Sequence, residues 1–272
     1  MIKKLILYIL PLMLLAACKS GGGKSGQLAA PDSILNQGVM EVSGQAMNEI
    51  IENISSPVEI AALLKKVGAP FSNKYLASTD KAENFTSANQ QALNLGVYGA
   101  DLSYATLYNY QQEVNNYMNV IRGLANDLNM SKIYNAALYD SIKKNFDNKD
   151  RLVQILTKAF NDTYAYMSEN DQQTLALLVV GGAWVEGMYL TTHVSEAAFQ
   201  TANFSKVLLD QKKSFELYLD LTKSYMDDPM ISNFVKNMDP IKKVYSALGT
   251  SLTLNNIKDI TVAIATIRGK II

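Results

Sequence analysis

The stretch TLALLVVGGAWVEGMYL, Thr174 to Leu190, carries one charge, Glu186, in an otherwise apolar run. A helix that is apolar on every side belongs either in a bilayer or in the middle of a larger helical assembly. The internal acid, the adjacent Gly181 and Gly182 and the lack of flanking Lys or Arg favour the second home. Such a helix needs a shell of amphipathic helices around it, so the chain is expected to be all-α.

The remaining sequence has the pattern of that shell. Apolar residues recur at threes and fours, and no alternating strand or hairpin turn is legible. A first helix is expected from Pro31-Asp32-Ser33 to about Ile54. Ser56 then Pro57 reads as an N-cap and first helical residue, starting a short helix that ends near Gly68. Phe71 to Ala82 reads as a connection, or at most a broken helix. From about Thr86 to Asp127 the helical pattern is nearly continuous, with Gly96 and Gly99 as the expected bend.

Further helices are expected from a cap at Ser131 to about Phe146, from Lys149 to Met167 with Asn148 as cap, from Asp171 to about Gln200 with Asn170 or Ser168 as cap, from Ser205 to before Pro229, from Met230 to Leu248 and from Asn255 to Lys270. The whole reads as a multi-helix antiparallel bundle of about eight to ten helices, in a single domain over 32–272. No tetratricopeptide period is present, which makes a solenoid the lesser alternative.

Two segments align without gaps. GVYGADLSYAT, from Gly96, and GGAWVEGMYLT, from Gly181, share G-x4-[DE]-x2-Y-x-T. Asp101 and Glu186 are each isolated in an apolar helical stretch, and a buried carboxylate must find partners or hold a proton. Tyr104 and Tyr189 follow three residues later on the same face, and His193 two turns beyond Glu186. The expectation is that the two helices pack through their glycines and gather Asp101, Tyr104, Glu186, Tyr189 and His193 into one polar cluster.

The leading reading of that cluster is a hydrogen-bonded lock between central helices. The second is a small-molecule pocket around Trp184, Glu186 and Asp101, with the acids as polar anchors. The third is acid–base catalysis, for which paired carboxylates need a cleft. No catalytic residue is assigned. His193 is the one histidine of the chain and lacks the H-E-x-x-H spacing, and no G-x-S-x-G elbow presents a serine. No metal site and no cofactor are expected.

The N-terminus concerns address. Lys3 and Lys4, an apolar run from Leu5 to Leu15 and the small pair Ala16-Ala17 form the layout of an export signal over 1–17. Leu15-Ala16-Ala17-Cys18 resembles the lipobox of bacterial lipoproteins. That resemblance implies that Cys18 is lipidated and becomes the first residue of the mature chain. Lys19 stands where an aspartate retains Gram-negative lipoproteins in the inner membrane, which implies the outer membrane, on its periplasmic side. Cys18 is also the single cysteine, so no intramolecular disulfide can form.

GGGKSG, following Cys18, is not a phosphate loop. The pattern G-x-x-x-x-G-K-[ST] needs its first glycine at position 18, which is Cys18. The composition is that of a flexible tether over 18–31. Removal of 1–17 leaves 23 basic against 25 acidic groups, too balanced to collect nucleic acid. The expected partners are the membrane, through the lipid, and an envelope protein; the oligomeric state is not legible.

With the lipobox, the segments NLGVYGADLSYATLYN and GGAWVEGMYL resemble a group of uncharacterised all-helical lipoproteins of Bacteroidota. The resemblance implies fold and address and carries no activity. The function expected is that of a non-enzymatic scaffold or envelope binding module.

Overall fold

Helices begin where a side chain can satisfy the free amides of a first turn. Ser56 and Glu59 do so reciprocally: Glu59 N donates to Ser56 Oγ at 3.3 Å and Ser56 N to Glu59 Oε2 at 3.0 Å. Pro57, whose missing N–H costs nothing there, opens α1 (Pro57–Lys66). The computed structural model describes Ile54 and residues 56–193, 202–249 and 252–272. The expected signal, Cys18, the tether, the helix before Ile54 and residues 194–200 of the expected Asp171–Gln200 helix lie outside these residues.

After α1 come α2 (Ala88–Leu107), α3 (Gln111–Asp127), α4 (Ala136–Lys144), α5 (Lys149–Glu169) and α6 (Gln173–His193). They are followed by α7 (Ala202–Thr222), α8 (Pro229–Asn237), α9 (Asp239–Ala247) and α10 (Leu254–Arg268). Asn135, Asn148, Asp228 and Thr253 cap α4, α5, α8 and α10. Short 3-10 turns occupy Asn73–Tyr75 and Thr79–Asn84 in the connection expected there. Among the described residues no strand occurs, and the protein is an all-α multi-helix bundle.

Three boundaries depart from expectation for local reasons. The long helix over 86–127 breaks between α2 and α3 rather than at its glycines. Asn109 takes a left-handed φ of 63° there, a conformation asparagine tolerates better than most residues. Ser131 does not start a helix: its Oγ donates to Asn126 Oδ1 at 2.7 Å, and Asn135 is the cap. The helix expected over 230–248 is two, because Pro240 in the first turn of α9 cannot donate an intrahelical bond to α8.

At the centre lies α6. By length and hydropathy it could cross a membrane, yet 83 % of its most apolar stretch is buried inside the protein. It touches α1, α2, α5, α7, α8 and α10, so burial on all sides comes from neighbouring helices. Its closest neighbour is α2. At Gly96 an added Cβ would overlap the Val179 carbonyl oxygen and stand 2.7 Å from Ala183 N. At Gly182 it would overlap the Leu93 carbonyl, 2.9 Å from its carbon.

Direction follows from these contacts. Moving from Gly96 to Asp101 along α2 moves the partner from the 179–183 turn to Glu186, so the two helices run the same way. Returning against both is α10: Arg268 reaches Glu186, while Asn94 Nδ2 on α2 donates to Ile271 O at 3.1 Å, just past α10's end.

Candidate functional site

Parallel packing of α2 and α6 brings the two isolated acids together. Asp101 and Glu186 are both 0 % exposed and are neighbours close enough for each to perturb the other's proton affinity. The third member is Arg268, at the end of α10. Its Nε donates to Glu186 Oε2 at 2.6 Å and its Nη2 to Oε1 at 2.9 Å, a two-pronged ion pair. The guanidinium lies 4.0 Å from the Tyr189 ring centroid, which covers its face.

Charge decides the protonation. Burial, then the charge of Glu186, pushes the Asp101 carboxyl well above the usual carboxylate range, against the Ala77 amide and Arg268. Burial also raises Glu186, but Arg268 opposes it directly. Asp101 therefore holds the proton and Glu186 the charge. Asp101 Oδ2 accepts from Ala77 N at 3.0 Å, while Oδ1 finds no donor. Protonated, Oδ1 needs none, since it carries an O–H for which the neighbouring Glu186 carboxylate is an acceptor. The buried group is then a neutral acid beside one ion pair, with no net charge to desolvate.

This cluster fastens the connection that follows α1. Arg268 Nη2 also donates to Tyr75 O at 3.1 Å. Along the same strap the tyrosines of α2 and α3, with Tyr108 just past the end of α2, supply donors to backbone carbonyls. Tyr108 reaches Ala69 at 2.6 Å, Tyr104 reaches Pro70 at 3.2 Å, Tyr117 reaches Ala77 at 2.6 Å and Tyr98 reaches Ser78 at 2.9 Å. Irregular backbone has no helical ladder for its polar groups, and where the strap turns inward, at the buried Ala69 and Ala77, those groups need partners; tyrosine brings a long apolar body with one donor at its tip.

The expected cluster is therefore partly rearranged. Asp101, Glu186 and Tyr189 share it, with Tyr189 joined through Arg268. Tyr104 is spent on the strap, where Ser72 N also donates to its hydroxyl at 3.1 Å. His193 stacks on Tyr189 at 3.9 Å and its Nδ1 donates to Tyr189 O at 2.8 Å. Burial lowers its pKa, so the ring is neutral near physiological pH. Trp184 lies elsewhere, stacked on Phe215 of α7 at 4.9 Å. The aligned glycines differ too: Gly181 faces Tyr218 and Phe234 rather than α2.

Sequence reasoning missed Arg268 and the strap. A signal for Arg268 exists: it continues the Ile260, Ile264 ladder at a spacing of four, which places a cation on a core-facing row. Ala77 and Tyr75 act through backbone groups and leave no trace in residue type. No group of three or more His, Cys, Asp or Glu suited to a metal occurs among the described residues. Comparison with family models, with curated proteins and with solved structures gives no match.

The protonation assignment predicts a pH effect. Asp101 unfolded titrates near 3.9 and folded well above it, so between those values the native state keeps a proton that the unfolded state releases. Stability contributed by Asp101 is complete below the unfolded pKa and is lost as pH rises toward the folded one, at up to about 1.4 kcal/mol per pH unit. Asn in its place donates to Glu186 and accepts from Ala77 with no proton to lose. Urea titrations of Asp101→Asn and wild type are expected to agree at acid pH and diverge in favour of the variant as pH rises. A variant less stable at every pH contradicts the assignment.

Proposed function

We propose that this protein is a lipid-anchored helical component of the outer membrane, facing the periplasm, which acts as a non-enzymatic scaffold or envelope binding module. The observation that carries the non-enzymatic part is the zero exposure of Asp101 and Glu186, together with bonds to Arg268 and Ala77 that use their capacity within the fold. Such a pair meets no substrate and acts as a lock between α2, α6 and α10.

The anchor rests on Leu15-Ala16-Ala17-Cys18 and the signal layout before it. Two or more acyl chains hold a protein stably on a membrane, so Cys18→Ser is expected to move the chain from the membrane to the soluble envelope fraction. Continued membrane retention of that variant overturns the anchor. Envelope pull-down with the native protein is expected to recover a partner protein or polymer, and an empty pull-down counts against the binding role.

A further inference from the structure

Between the first turn of α2, α8 and the residues after α10 lies a cleft of about 340 Å³. Four side-chain amides, Asn89, Gln90, Asn233 and Asn237, line it together with Lys270, and its lining holds no carboxylate. Leu93, Met230 and Ile271 supply an apolar floor. Four amides around an apolar floor is a lining that neither core packing nor the buried acid pair explains.

Two of the amides already have a direction. Gln90 Oε1 accepts from Ser87 N at 3.3 Å, and Asn237 Oδ1 accepts from Lys270 Nζ at 3.3 Å. With those oxygens engaged, both keep N–H groups as donors unused within the fold, beside the remaining ammonium protons of Lys270. Asn89 and Asn233 make no side-chain hydrogen bond among the described residues and offer donor and acceptor alike. A complementary ligand has carbonyl oxygens for the fixed donors, paired hydroxyls for the free amides and small apolar groups for the floor.

We propose that this cleft binds an N-acetylated saccharide chain, a reading that rests on the protein's role as an envelope binding module. The acetyl carbonyl, with two lone pairs, accepts from two of the donors of Gln90, Asn237 and Lys270, its methyl and the ring C–H groups meet Leu93 and Met230, and the hydroxyls pair with Asn89 and Asn233. A peptide fits less well. The usual peptide sites are a sheet edge, a continuous apolar groove, an aromatic-lined channel or an arginine cluster, and the cleft has none of these.

The test uses the full-length protein in a detergent without a sugar headgroup, titrated with a trimer of N-acetylglucosamine while side-chain amide resonances are followed by NMR. Asn89, Gln90, Asn233 and Asn237 are expected to shift together. A glucose trimer should bind about tenfold or more weakly, and Asn89→Ala with Asn233→Ala should lose a similar factor. Asn233 is exposed and Asn89 half-buried, and an unchanged melting temperature confirms that the variant is folded. Absence of shifts at these amides, equal response to both sugars, or full binding by the double variant overturns the proposal. So does tighter binding of a neutral peptide at the same amides. Cys18→Ser still reports on the anchor whichever way the titration falls, so the two readings fail separately.

Discussion

Arg268→Ala is expected to remove about 3–5 kcal/mol of stability, because it leaves the Glu186 carboxylate buried without its counter-ion. Glu186 is 0 % exposed, and the two bonds from Arg268 are its charge partners. The same change frees Tyr75 O from its donor and uncovers the Tyr189 ring. Against a typical total of about 5–15 kcal/mol, the variant is marginally folded, and urea unfolding followed by circular dichroism measures the loss. Adding Glu186→Gln removes the orphaned charge, so the double variant should be markedly less damaged than additivity demands. A loss below about 1 kcal/mol for Arg268→Ala is the size of an exposed ion pair and contradicts the buried one.

The second large effect is steric. Gly96→Ala and Gly182→Ala each place a methyl group against backbone of the facing helix, where neither α2 nor α6 can yield without parting. Overpacking of this kind costs about 1–3 kcal/mol and sometimes more, and here it also disturbs the alignment of Asp101 with Glu186. Gly99 is the internal control. It lies in the same helix with nothing within 4 Å of an added Cβ, so Gly99→Ala should gain about 0.5–1 kcal/mol from helix propensity. Thermal unfolding of the three variants should therefore split in sign, and equal tolerance at Gly96 and Gly99 refutes the close approach.

The central helix was legible because a lone acid in an apolar run constrains its surroundings strongly. Asp101 and Glu186 were legible as partners because each needed one and their segments match. Arg268 and the strap were not, since a long-range partner and backbone acceptors carry no local pattern. The glycines show the limit best. The pattern at Gly96 admits both a bend and a close helix contact, and only the contact forms, while the chain turns at Asn109, whose tolerance of a left-handed conformation depends on context. Pro240 was legible in principle and divides what periodicity alone joins.

The cleft of amides was also hidden in sequence, since its residues come from 89–93, 178, 229–237 and 270–271 and converge only through the fold. The buried acids attract attention in sequence but face inward. Their surroundings account for them as structure, and the surface amides are where a ligand can be sought.

The central claim is that Asp101 holds a proton shared with an ionised Glu186 inside a sealed contact between α2, α6 and α10. Carbon-13 NMR of the two side-chain carboxyl groups tests it directly. Near neutral pH the Asp101 carbon is expected at the position of a protonated acid and the Glu186 carbon at that of a carboxylate. Two carboxylate signals that titrate as ordinary surface acids would contradict it.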